Sequence, residues 1–597
     1  MGEYDDHFGL SIPLKPYKRH TNLLWKLTFV ALAACLWSWE RFAWIIAPSR
    51  SRPDFDWYAL EPSEDINWTA CFDGFKCARL SVPLDYQRPD GPKAVIAVQM
   101  LPATDRANYG GTILLNPGGP GGSGTWYVGK FGTKLAQVVG PQFDLLGFDP
   151  RGTGATLPRA ECFTSESQSK IWELQHAPLL NLSDNSIPLA RSREVVMSDL
   201  CLKAMGGNGN AGIGATVEEW GGGRYMGTAS VATDMLRILE KLGQDRLQYW
   251  GFSYGSVLGQ YFAAMYPHKV GRLVIDGVLD ASEYATTHPV CLQHTDEIIS
   301  SFYSYCAQAG PVKCPLHAPE PDTIRKRVES IMGDLARSPI PVPFGAEGPT
   351  VVTDYLLRNV MFRAVYQPIT LFPVIADALV AIEARNATAL ADMPVFQGGV
   401  KCDCIASPPL PWTQPNPEAF YAIACGDKSQ DLSANFDYTE YFKELTKLSP
   451  LFAPVFGTIG LSCENWKMPA TWAYDGPFSA ENTSHPLLVL SNAADPVTPL
   501  EHAQAVAKRF GGAKLVVQNC AGHCTLAAPS LCTAKHVRAY FANGTMPQDG
   551  ATCEPDELPF VGKVRNDAQV LEEGDRELLE TLTSLVKEIR LSGVGVF

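Results

Sequence analysis

Four apolar-rich residues at 247–250 (LQYW) run straight into Gly251-Phe252-Ser253-Tyr254-Gly255, and residues 257–265 then read as helix. Few folds accommodate a buried strand that must become a helix within so short a span. The sharp turn strains its central residue and lifts the serine Oγ out above the sheet. Gly251 and Gly255 are small because strand and helix backbones approach closely there. The G-x-S-x-G pattern alone is weak evidence in a chain with 51 glycines; its strand-turn-helix setting is what gives it weight.

The same alternation recurs along the 597 residues. Residues 79–84, 94–100 (AVIAVQM), 112–115 (TILL), 143–148 (FDLLGF), 272–275, 486–490 (PLLVL) and 514–517 (KLVV) read as strands. TILL is followed at once by Asn116-Pro117-Gly118-Gly119-Pro120-Gly121-Gly122-Ser123-Gly124, and FDLLGF by Asp149-Pro150-Arg151-Gly152-Thr153-Gly154. Between them, Val231, Met235, Ile238, Leu239 and Leu242 fall on one helical face. The pattern predicts an α/β fold: a mostly parallel central sheet with helices on both faces. The block 281–484, rich in proline, cysteine and aromatics, reads as a mainly helical cap inserted into that sheet domain. The organisation expected is a tail at 1–22, an apolar targeting segment at 23–47, core at 48–280, cap at 281–484, core again at 485–560, and an amphipathic helix with tail at 561–597. Leu578, Leu582, Leu585 and Ile589 supply the buried stripe of that helix.

Ser253 needs a base within hydrogen-bond reach to act as a nucleophile, because a hydroxyl attacks poorly near neutral pH. In a fold of this kind the order along the chain is serine, acid, histidine. His523 lies on a loop directly after the last predicted strand, and Asp495 follows the PLLVL strand, leaving room for a helix (500–510) and a strand between them. Asp276, at another strand end, is the runner-up acid. The negative oxygen of a tetrahedral intermediate needs preorganised donors; the N–H of Tyr254 and that of Gly119, with Gly118 as alternative, are the candidates. Asp149 and Arg151 are expected to buttress the site. Cys520, His523 and Cys524 could also be read as metal ligands, but no fourth ligand is evident; a bridge through Cys524 that fixes the loop is the competing reading. No cofactor is expected.

A net charge of −14 and the absence of a basic stripe disfavour a nucleic-acid partner. Sixteen cysteines point to an oxidising compartment, and the fifteen beyond Cys35 leave at least one thiol free or bridged between chains. Close pairs are Cys71/Cys77, Cys306/Cys314, Cys402/Cys404 and Cys520/Cys524. N-x-S/T sequons at Asn67, Asn181, Asn386, Asn482 and Asn543 agree with that compartment. Thirteen uncharged residues at 27–39, preceded by Lys15, Lys18, Arg19 and Lys26, suggest a signal anchor with a cytosolic N-terminus; a signal peptide cleaved near Ala31-Leu32-Ala33 is the alternative.

These motifs, together with Cys77-Ala78-Arg79-Leu80-Ser81-Val82-Pro83-Leu84-Asp85-Tyr86, Ala494-Asp495-Pro496-Val497-Thr498-Pro499 and Gly522-His523-Cys524, resemble the tripeptidyl aminopeptidase-like branch of the α/β-hydrolases, related to proline iminopeptidases. The likeness runs from about Trp57 to Glu554 and includes the closing pair Cys532 and Cys553. It implies the α/β-hydrolase fold and hydrolysis at the N-terminus of short peptides, with a cap carboxylate holding the substrate ammonium. The branch also holds esterases, and the resemblance extends to fungal-type members linked to secondary metabolites. Carboxylesterase, thioesterase or lactone hydrolysis by the same residues is therefore the alternative function, and a non-catalytic binding protein on this scaffold a remote one.

Overall fold

The computed structural model describes residues 55–175, 179–209, 212, 214–286, 291–345, 348–396, 416–428, 436–564 and 571–591. The apolar segment at 23–47 and the Cys402/Cys404 pair lie outside the described residues. A ten-stranded sheet organises the unit Trp57–Phe597. Its strands are β1 (Thr69–Ala70), β2 (Lys76–Pro83), β3 (Lys93–Leu101), β4 (Gly111–Asn116), β5 (Phe143–Phe148), β6 (Leu247–Phe252), β7 (Val270–Asp276), β10 (Leu488–Ala494), β11 (Lys514–Ala521) and β12 (Ala551–Cys553); β8 (Ile340–Gly345) and β9 (Gly348–Val352) form a separate hairpin. The order is β1-β2-β3-β5-β4-β6-β7-β10-β11-β12, antiparallel from β1 to β5 and parallel from there on. Each strand foreseen in the sequence is present. The β8–β9 hairpin is an addition inside a block read as helix and loop, where Pro341 and Pro343 mask the strand pattern.

Parallel strands need crossovers, and the helices Gly124–Val139, Thr228–Lys241, Tyr254–Met265, Leu500–Arg509 and Leu531–Asn543 supply them. Ser123 caps the first of these, its Oγ accepting the Trp126 N–H at 3.0 Å. The helix Glu573–Leu591 buries Leu578, Leu582, Leu585 and Ile589 beside Val138 and Trp250, the stripe read from the sequence. At about 2 kcal/mol for each buried aliphatic side chain, that seam alone holds the helix on the sheet.

The long excursion between β7 and β10 is largely helical and has its own core, centred on Phe302, Leu357, Phe372, Phe396, Phe442 and Phe452. The helix Ser186–Met205, from the earlier crossover, joins it. Leu180 N–H bonds Pro454 O at 3.1 Å, Ser198 Oγ donates to Asn465 O at 2.7 Å, and Arg191 pairs with Glu464 at 2.9 Å. Both excursions thus leave from the C-terminal ends of the strands, where the serine turn lies.

Among the described residues five disulfides fasten the unit: Cys71–Cys77, Cys162–Cys201, Cys306–Cys314, Cys425–Cys463 and Cys532–Cys553. This count fits an oxidising compartment. Among the described residues Cys291, Cys520 and Cys524 form no bridge and are buried, so the sequence proximity of Cys520 and Cys524 does not join them. All five sequon asparagines are exposed. Among the described residues no helix is long and apolar enough to cross a membrane.

Candidate active site

Ser253 sits between β6 and the helix Tyr254–Met265 at φ 56° and ψ −123°, a conformation that L-residues avoid. Its N–H is held by Asp276 O at 2.9 Å. A Cβ on Gly251 would fall 2.4 Å from Gly255 O, and one on Gly255 would fall 2.8 Å from Asn116 O, which is the close approach inferred from the motif.

The loop after β4 runs directly over this turn. At Gly118 (φ 93°) a Cβ would lie 2.4 Å from Phe252 O and 2.8 Å from Ser253 Cβ. Gly118 N–H is committed to Asn116 Oδ1 at 2.9 Å, which favours Gly119 over Gly118 as the loop's oxyanion donor beside Tyr254 N–H. Asp149 ties the same loop to its neighbour. Its carboxylate accepts from Ser123 Oγ (2.6 Å), Thr125 N–H and Oγ–H (3.0 Å each) and Ala155 N–H (2.8 Å). Arg151, fully buried, forks onto Asp234 with two 2.8 Å bonds and donates to Pro83 O, Leu84 O and Tyr225 O. Both residues hold loops in place, as expected of them.

His523 and Asp495 meet. Nδ1 of the imidazole lies 3.0 Å from each carboxylate oxygen, with Asp495 fully buried and His523 nearly so. Burial alone would raise the Asp495 carboxyl. Electrostatic attraction to His523 and hydrogen bonds from His523, Cys524 N–H and Val497 N–H outweigh it and hold the group below its ordinary range. Asp276, the other candidate acid, serves the loop instead. Its two oxygens accept Thr525 N–H (2.7 Å) and Thr525 Oγ–H (2.5 Å), and burial pushes its carboxyl up to about 6. Cys524, next to His523, places its sulfur against the Ser253 amide, so the base and the serine turn are neighbours at the sheet edge. The Cys520 and Cys524 sulfurs face different partners, Gln518 Nε2 at 3.2 Å and Asp276 O at 3.5 Å. Burial pushes the Cys520 thiol up to about 12 and that of Cys524 well up, keeping both neutral rather than thiolate.

Several participants carry no motif of their own. Asn492 Nδ2 donates to Gly522 O and Cys524 O at 2.7 Å each, clamping the histidine loop; a polar residue at the buried end of a strand was the available signal. Thr498 donates its N–H to Asp495 Oδ1 at 2.8 Å and sets its Oγ 3.3 Å from His523 Nδ1. We expect Thr498→Val, which keeps the shape and the backbone bond, to lower kcat/KM about fivefold, the loss of roughly 1 kcal/mol of imidazole alignment, with Tm little changed. Steady-state kinetics beside a thermal melt check it.

The cap reaches the site at two places. Residues 416–428 lie on the glycine loop: a Cβ on Gly121 would touch Ala419 Cβ at 3.3 Å, and Asn416 Nδ2 donates to Gly152 O at 2.8 Å. Farther along, buried Asp427 accepts Thr228 N–H (2.7 Å) and Tyr284 O–H (2.9 Å) and also Thr228 Oγ–H, while Thr228 Oγ bonds the Tyr254 hydroxyl at 2.5 Å. Tyr366, at the end of the helix Asp354–Tyr366, accepts the His523 N–H on its carbonyl at 2.9 Å and sets its ring edge-on to the imidazole, 5.1 Å between centroids.

Comparison with known proteins agrees with this geometry. Residues 111–312 match the alpha/beta hydrolase fold family, and residues 449–553 match the family described as TAP-like protein. Serine protease Hip1 of Mycobacterium tuberculosis is 28% identical over 520 residues, covering 82% of this chain and 91% of that protein. Tripeptidyl aminopeptidase of Streptomyces lividans is 23% identical over 541 residues, covering 87% and 91%. Carboxylesterase B of Mycobacterium tuberculosis is 25% identical over 500 residues, covering 80% and 86%. These three are bacterial and leave the fungal-type likeness as an expectation. From strand order, serine turn and both family matches together, the chain is a serine hydrolase of the α/β-hydrolase fold with a TAP-like C-terminal region.

Proposed function

We propose that the chain is an aminopeptidase-type serine hydrolase that works through an acyl-enzyme on Ser253. The observation that carries this reading is the buried Asp495–His523 pair, whose next residue, Cys524, lies against the amide of a serine on a strained strand-to-helix turn. His523 takes the Ser253 proton as Oγ attacks the scissile carbonyl. The N–H groups of Tyr254 and Gly119 receive the developing oxyanion, and Asp495 stabilises the imidazolium. The imidazolium then protonates the departing amine, and water, activated by the same imidazole, releases the acyl half. The Hip1 and tripeptidyl aminopeptidase relatives favour a peptide substrate; Carboxylesterase B favours the ester alternative. The apolar stretch at 23–47, acting as a signal anchor, would carry this unit into the secretory lumen.

A peptide amino-terminus requires a carboxylate, and the cap offers Glu194. One of its oxygens, Oε2, is buried without a hydrogen-bond partner among the described residues; the side chain also bonds Tyr421, within the segment seated on Gly121. Burial pushes the Glu194 carboxyl up to about 7. A charged hydrogen bond contributes about 1.5–3 kcal/mol, so Glu194→Gln should lower kcat/KM for free-amine tripeptidyl anilides about 10- to 150-fold relative to short acyl p-nitrophenyl esters. The sign with pH follows: below about 7 the carboxyl is neutral and loses the ammonium, so the peptide-over-ester ratio of the unsubstituted enzyme falls as pH drops, and Glu194→Gln flattens that ratio. The deciding comparison sets free against N-acetylated tripeptidyl anilides. Equal turnover of both would remove the aminopeptidase reading and leave the esterase one.

A further inference from the structure

Tyr366 is only 3% exposed, yet among the described residues its hydroxyl has no hydrogen-bond partner. Burying a hydroxyl without a partner costs stability, and phenylalanine would pack the same ring without that cost. The ring contacts do not explain the oxygen: Phe362 and His523 both meet the ring edge-on, at 5.6 and 5.1 Å between centroids, and neither hydrogen-bonds the hydroxyl. The placement does. The ring lies against the imidazole, and the charged or polar groups that act on the phenol are Asp495, Cys291 and Cys524, all around the histidine loop. Burial holds the phenol well above its ordinary range, so it remains a donor throughout the working pH range.

His523 delivers its proton to the leaving group. A donor packed against that imidazole therefore borders the half of the substrate that departs. We propose that Tyr366 is a specificity-determining residue whose hydroxyl donates a hydrogen bond to the leaving-group half of a peptide, at the carbonyl that follows the scissile bond. This rests on the peptidase reading above and extends it from the acyl side to the departing side. A leaving group with a carbonyl acceptor satisfies the hydroxyl; an aromatic amine without one leaves it orphaned, and sites built around a polar partner discriminate strongly against analogues that lack it.

The test uses two substrates with the same acyl tripeptide: one continued by further residues, the other closed as a p-nitroanilide. With Tyr366→Phe, the ratio of kcat/KM for the continued peptide over the anilide should fall at least about tenfold. At the same time Tm should rise by about 1–2 °C, because an unsatisfied buried hydroxyl is gone. A ratio that stays within twofold of the unsubstituted enzyme overturns the assignment. So does a lower Tm or a variant that fails to fold, since either shows that the hydroxyl holds the structure together. Failure of the unsubstituted enzyme on both substrates strikes the peptidase reading itself, and is seen before any variant is made.

Discussion

Ser253→Ala should lower kcat by about 10⁴–10⁶-fold on every substrate while leaving Tm close to that of the unsubstituted protein. The first half follows from chemistry: without Oγ no acyl-enzyme forms, and what remains comes from the oxyanion donors and binding alone. The second half follows from the turn. Ser253 contributes its N–H to Asp276 O, which alanine retains, and alanine tolerates φ 56° no worse than serine does. Burst kinetics with an ester, labelling by a fluorophosphonate and a thermal melt check the three parts. Residual turnover above about one part in a thousand, or labelling at another serine, would remove Ser253 from its place.

The second large effect couples activity to stability instead of separating them. Asp495→Asn should cost about 10⁴-fold in kcat, through the wrong imidazole tautomer, and should also lower Tm. Both carboxylate oxygens are acceptors. Oδ1 takes Val497 N–H (3.0 Å) and Thr498 N–H (2.8 Å), Oδ2 takes Cys524 N–H (2.9 Å), and both face His523 Nδ1. An amide turned either way aims N–H against N–H, at about 1–3 kcal/mol for the buried donors left unpaired. The pH dependence has a definite sign. The folded pKa is depressed, so the stability this pair contributes is present above the ordinary carboxylate range and is lost as pH falls through the folded value. For Asp276, raised to about 6, the sign is reversed: its contribution is present at low pH and lost as pH rises through about 6.

Much of this site is written locally. The GFSYG turn, the glycine loop and the position of Asp495 after a buried strand each depend on a few adjacent residues, because steric limits at strand ends leave little choice. Chain order does not separate Asp495 from Asp276, since both lie between Ser253 and His523; the hydrogen bonds do, with one carboxylate on the imidazole and the other on Thr525. What depends on distant chain stayed hidden. Tyr366 meets His523 across 157 residues of sequence, a separation with no periodic or compositional trace. Cys162–Cys201 and Cys425–Cys463 close separations of 39 and 38, whereas the nearer Cys520 and Cys524 point their sulfurs apart. Thr498 and Asn492 lay within reach of the motifs, but hydrogen bonds to a loop 25 and 30 residues away become visible only once that loop is placed.

The bond from Asp427 through Thr228 to the Tyr254 hydroxyl has a bearing on how such enzymes diversify. It couples the roof formed by residues 416–428 to Tyr254, the residue that follows the candidate nucleophile Ser253. Transplanting a foreign roof to obtain a new substrate range would sever this tie unless a matching acid came with it. A new substrate range is therefore expected to come more readily from point changes within the existing roof than from its wholesale exchange.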